Sequence, residues 1–170
     1  SNFMRIHTIF HARFEPLGAI EEWIRHHEFT LTSSHPWQGD NCANADDFDM
    51  LIIMGGPQSP RQLEQFPYLK KEMKCIEQAI EKNKFVLGVC LGAQLIGEVF
   101  GASTLPSPEK EYGASPLELT PAGREDPLFN DFPDNFPVMH WHNDMPGLSE
   151  GAQILASTPG CPRQAIRYAK

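Results

Sequence analysis

Blocks of apolar residues punctuated by polar, Gly- and Pro-containing stretches organise the first hundred residues. Arg5 to Phe10 (RIHTIF) reads as a first strand, and His11 to Gly18 as a loop around Glu15-Pro16. Ala19 to His27 has helical spacing, with Ile20, Trp23 and Ile24 facing inward. Phe29 to Ser33 alternates as an edge-side strand, and the polar stretch Ser34 to Phe48 reads as a long loop. Leu51 to Met54 forms a second apolar strand that ends in Gly55-Gly56-Pro57. Tyr68 to Asn83 is the clearest helix: Leu69, Met73, Ile76 and Ile80 line one face, and lysines and glutamates cover the other. Phe85 to Val89 is the apolar run of a buried strand, and from Leu91 the spacing turns helical through Leu95, Ile96, Val99 and Phe100. Strands alternating with helices in this order predict a parallel α/β sheet.

After Ser103 the pattern changes. Prolines at 106, 108, 116, 121, 127, 133 and 137 cut the chain into short extended pieces. Ser115 to Thr120, Val138 to His142, Gln153 to Thr158 and Gln164 to Ala169 read as strands, partly antiparallel. The expected fold is therefore one α/β domain over residues 3–170. It has a mostly parallel, flavodoxin-like central sheet, helices on both faces, and a small antiparallel addition.

One junction in this pattern carries chemistry. Gly88-Val89-Cys90-Leu91-Gly92 places a cysteine between glycines where a strand gives way to a helix, the design of a nucleophile elbow. A thiol at a helix N-terminus is biased toward thiolate, and the Leu91 N–H that follows it can face a developing oxyanion. Sites in parallel sheets form beyond the carboxyl ends of neighbouring strands, so Gly56 can bring a second N–H to the same mouth. Against this stand the ordinary readings of a small buried Cys90 and a plain Gly-Pro turn.

These segments, GVCLGAQLIGEVFGA (residues 88–102) and IIMGGPQS (residues 52–59), resemble the nucleophile region of class I, triad-type glutamine amidotransferases. The nearest likeness is to stand-alone, GMP-synthase-like amidotransferase domains. It extends through PEKEYG (Pro108 to Gly113), HWHND (His140 to Asp144) and CPRQAIRY (Cys161 to Tyr168). The resemblance implies that Cys90 is the nucleophile, that Gly56 and Leu91 supply oxyanion N–H groups, and that Gln94 helps to hold glutamine. It also implies a catalytic His-x-Glu on a strand shortly after the segment matching QAIRY. No histidine follows His142 in these 170 residues, so the expected domain is incomplete at its C-terminus.

On a strand, His140 and His142 share one face and Trp141 takes the other. Such a pair can bind metal, serve as base to a cysteine, or wall a pocket. No third ligand stands at convincing spacing, so no metal is expected, and the resemblance implies that His140, Trp141 and His142 wall the glutamine pocket. Glu109 and Glu111 flank Lys110 in what reads as a Pro-rich loop bordering that pocket.

Composition narrows the classes further. A net charge of −8 without a basic cluster argues against nucleic acid or an anionic membrane as partner. No apolar run approaches the ~20 residues of a membrane span, and no signal peptide is read. Cys42, Cys75, Cys90 and Cys161 show neither disulfide-framework nor zinc spacing, which favours a reducing cytoplasm.

The expected activity is release of ammonia from glutamine through a cysteine thioester, with no cofactor and with any ammonia-accepting synthase a separate partner. The alternatives are a γ-glutamyl amide hydrolase of the same fold, or a non-catalytic binding module of that fold. The sequence says nothing of oligomeric state.

Overall fold

The computed structural model describes residues 3–13 and 16–168; within its strands, the side chains of Met139 and Trp141 lie outside what is described. The chain forms two compact units, Ser1–Val99 and Phe100–Lys170.

The first unit is built on a four-stranded parallel sheet of order β2-β1-β3-β4. Its strands are β1 (Arg5–Ile9), β2 (Thr30–Ser34), β3 (Met50–Ile53) and β4 (Phe85–Gly88). Helix α1 (Ala19–His26) links β1 to β2, and α2 (Tyr68–Glu81) links β3 to β4. These two crossovers run in opposite directions across the sheet. Since parallel crossovers are right-handed, α1 and α2 must cover opposite faces. Side-chain alternation agrees. Ile6, Ile52 and Met54 cluster with Leu17 and with Ile24 of α1. Leu51 and Ile53 point the other way and are fully buried.

Three expectations need correction here. Trp23 is 43% exposed rather than inward, lying against the rings of His27 and Phe29. The buried stripe of α2 is Leu69, Glu72, Cys75, Ile76 and Ala79, because the face touching the protein is rotated from the most apolar one. β4 is not a buried strand either: Phe85 is 66% and Leu87 38% exposed. β4 ends the four-stranded sheet among the described residues.

The long polar loop contains two 3-10 turns, Pro36–Gln38 and Ala45–Asp47. It is tied to α2 by a disulfide between Cys42 and Cys75. The expectation of four unlinked cysteines is thus wrong for this pair. Thirty-three residues separate them, and only the fold brings the loop against the helix. The cysteine argument for a reducing compartment loses its footing with it.

The second unit is an antiparallel sheet of order β6-β5-β7-β8. It comprises β5 (Leu105–Leu119), β6 (Asn135–Met145), β7 (Gln153–Thr158) and β8 (Cys161–Arg167), with a short helix α4 (Pro121–Glu125). Leu117, Leu119 and Ala156 form its apolar centre, with Phe129, Phe136, Val138 and Ala165 packed around. The strands are longer than their patterns suggest, and PEKEYG lies inside β5 rather than in a loop. Its prolines are accommodated locally: pairing is irregular between Pro106 and Glu111, and Pro116 stands opposite Pro137. Two facing prolines fit a non-hydrogen-bonded pair, where no N–H is required.

Candidate active site

The junction between β4 and α3 (Leu91–Val99) has the geometry of an elbow. Cys90 sits between them with φ 51°, in the left-handed region that a non-glycine residue seldom occupies. Its side chain is exposed. Val89 N–H donates to the Ile53 carbonyl at 2.9 Å, and Gln94 N–H donates to the Cys90 carbonyl at 3.1 Å. The chain thus leaves the sheet and enters the helix within two residues.

The flanking glycines are required by close approach, not by dihedral angle. A Cβ on Gly88 would lie 2.5 Å from the Gly92 carbonyl carbon and 2.6 Å from Ala93 N. One on Gly92 would lie 2.0 Å from the Ile53 carbonyl oxygen of β3. Gly92 therefore seats the start of α3 directly on the carboxyl end of β3. Leu91 is the first residue of α3, and the first amides of a helix have no acceptor within it. Gln94, one turn later, is buried.

Ile53 pairs with Gly88, so the Gly55-Gly56 loop and Cys90 leave adjacent strands at the same end of the sheet. Gly56 is confined from behind: an added Cβ would meet Gln58 Oε1 at 2.4 Å and His11 Cβ at 2.5 Å. Cys90, Leu91, Gln94 and Gly56 are thereby gathered in the first unit.

The remaining candidates belong to the second unit. His140 and His142 lie on β6, and His142 stands opposite Glu111 of β5. His142 Nε2 is 3.1 Å from Glu111 Oε1, both side chains being about nine-tenths buried. His140 is buried, its Nε2 donating to the Ser115 carbonyl at 3.3 Å. The Trp141 side chain lies outside the described residues.

One ligand atom from each of Glu111, His140 and His142 falls within 4.8 Å of the others, a donor set compatible with a metal ion. Within the protein, the same donors are already engaged. Gln164 Nε2 stands 2.6 Å from Glu111 Oε1 and 3.1 Å from His142 Nε2. Thr158 Oγ1 donates to the Glu111 carboxylate at 2.8 and 2.9 Å.

A strand–elbow–helix bearing cysteine, beside a Gly-Gly loop on the neighbouring strand, is the arrangement to compare with known families. The family model described as glutamine amidotransferase class-I matches residues 19–170. The chain belongs to this family.

Among its relatives is the glutamine amidotransferase-like protein YfeJ of Salmonella typhimurium. It is 46% identical over 169 residues, which cover 97% of this chain and 71% of that protein. The glutamine-hydrolyzing GMP synthase of Syntrophomonas wolfei is 43% identical over 82 residues, covering 48% of this chain and 16% of the synthase. The crystal structure of a glutamine amidotransferase from Thermotoga maritima superimposes with a TM-score of 0.91 at 26% identity, covering 99% of this chain and 73% of that one. The fold described above, a mostly parallel sheet with helices and an added antiparallel sheet, is that of the class-I amidotransferases. Among the described residues, no helix is long and apolar enough to cross a membrane.

Reading the sequence missed several polar partners. Glu111 and Gln164 lie 31 and 22 residues from His142, and only strand pairing and burial bring them together. Glu72 looked like part of a solvated helix face but is 1% exposed and paired with His11. A carboxylate beside Lys70, Lys71 and Lys74 on a helix gives no local sign of this.

Proposed function

We propose that this amidotransferase chain carries the site that hydrolyses glutamine to glutamate and ammonia, with Cys90 as nucleophile. The observation that carries the reading is Cys90 itself: exposed, at φ 51°, between a strand end and a helix N-terminus. The Cys90 thiolate attacks the side-chain carbonyl carbon of glutamine, and its oxygen becomes an oxyanion facing the N–H groups of Gly56 and Leu91. Collapse breaks the C–N bond, and ammonia leaves with a proton delivered by the catalytic base. Water then adds to the thioester, releasing glutamate and restoring the thiol. No step needs a metal or organic cofactor.

In this reading Gln94, buried one turn after Cys90, helps to hold the substrate. The base in this reading is the histidine of the His-x-Glu pair that the family resemblance implies. This chain spans 71% of YfeJ's length. The ammonia passes to a separate synthase, a proposal supported by the GMP synthases among the relatives.

The test is glutamate and ammonia release by the product of the full reading frame, with Cys90→Ala as control. Turnover that disappears in Cys90→Ala is expected. Turnover surviving that substitution, or binding of glutamine with no hydrolysis, contradicts the proposal.

A further inference from the structure

We infer that His11 and Glu72 are positioning residues, a buried couple that fixes the Gly55-Gly56 loop from behind. The inference rests on the reading of Gly56 as an oxyanion donor. His11 follows β1, and its Nδ1 lies 2.9 Å from the Met54 carbonyl, the last backbone acceptor before Gly55. A carbonyl can only accept, so Nδ1 carries a proton and donates it. Nε2 lies 2.6 Å from Glu72 Oε1 on α2, with the two side chains 0% and 1% exposed. That contact requires a proton on one of the two atoms. A loop carbonyl, an imidazole and a helix carboxylate thus form one line.

Stability does not account for this line. Two ionisable groups are desolvated for a single mutual contact, and Glu72 Oε2 is buried without a hydrogen-bond partner. An apolar pair of similar volume commonly serves a core at least as well. What the couple does supply is orientation. It holds the Met54 carbonyl, and with it the peptide plane leading into Gly55. It also holds the His11 Cβ that bounds Gly56. Gln58 closes the other side: its Nε2 donates to the His11 carbonyl at 3.0 Å and to Tyr68 Oη at 2.8 Å, while its Oε1 abuts Gly56. Gly56 is clamped between two side chains, and both are braced by the start of α2. An N–H aimed in advance at the oxyanion needs such a fixed backing.

Three variants of the full reading-frame product separate this role from a general one. His11→Leu removes the donor to Met54; His11→Asn keeps a donor at the Nδ1 position; Glu72→Gln keeps a neutral partner for Nε2. The expected result is a fall in kcat on the order of 10²-fold for His11→Leu, with KM little changed. His11→Asn and Glu72→Gln should recover most of that loss. Alkylation of Cys90 by iodoacetamide, which develops no oxyanion, should proceed at the parental rate in all three. The inference is overturned if His11→Leu keeps its kcat, if His11→Asn is no better than His11→Leu, or if alkylation falls in step with kcat. Absence of turnover in the parent would count against the functional reading alone. In that case the ¹⁵N-labelled proteins decide: His11→Leu must shift and speed exchange of the Gly55 and Gly56 amides while leaving Leu91 and Gly92 unmoved. Unchanged Gly55 and Gly56 signals overturn the inference by themselves.

Discussion

Cys90 is held in an unfavourable backbone conformation by its neighbours, and those neighbours are what a mutation should test. Gly92 is the most constrained, because any side chain there collides with the Ile53 carbonyl that also accepts the Val89 N–H. Gly92→Ala should therefore cost about 1–3 kcal/mol of stability in urea unfolding and displace the start of α3, with loss of activity out of proportion to loss of fold. Unchanged stability and turnover would mean that this contact yields easily. This part of the site was legible in the sequence, since Gly-x-Cys-x-Gly after an apolar run is a local pattern with a local geometric cause. Glu72 and Glu111 were not legible. Their burial depends on what lies across from them in space, and neither has an unusual neighbour in the chain.

At the scale of elements, two links between distant segments have measurable consequences. The Cys42–Cys75 disulfide joins the long polar loop to α2. Replacing both cysteines by serine should lower stability by about 2–4 kcal/mol, because the unlinked loop regains freedom when unfolded. Thiol titration under denaturing, non-reducing conditions should find two thiols, Cys90 and Cys161; four would contradict the link. In the second unit, Asp126 accepts two bonds from Arg167 of β8, at 2.6 and 2.7 Å, and also caps the Leu128 N–H at 2.9 Å. The Arg167 hydrogen bonds, then the Leu128 cap, hold the Asp126 carboxyl down at about 2. A depressed carboxylate stabilises the fold above its unfolded value near 3.8, and that contribution fades as pH falls from there toward 2. Asp126→Asn should flatten the pH dependence of thermal unfolding in that window; an unaltered slope would remove the ion pair from the account. Strand lengths in this unit were underestimated because seven prolines look like breaks. Paired against an irregular stretch or another proline, three of them are tolerated within β5.

For the whole molecule, alternation of apolar strands and amphipathic helices sufficed to anticipate the parallel sheet and its crossovers. It did not reveal that β4 carries exposed Phe85 and Leu87 at the sheet's edge. A residue's place in the strand order is a property of the assembled sheet. The proposed base is the histidine of a His-x-Glu segment. Replacing the histidine of that segment by Ala should lower glutamine turnover by at least about 10²-fold, as removal of a general base does. Equal turnover by residues 1–170 alone would place the base elsewhere.

The central claim, that Cys90 attacks the side-chain carbonyl of glutamine, is tested most directly by peptide mapping of the full reading-frame product after brief exposure to a γ-electrophilic glutamine analogue. The account predicts a single adduct, on the peptide containing Cys90, whose formation is slowed by added glutamine. Equal labelling of Cys90 and Cys161, or labelling of Cys90 that glutamine does not slow, would contradict it.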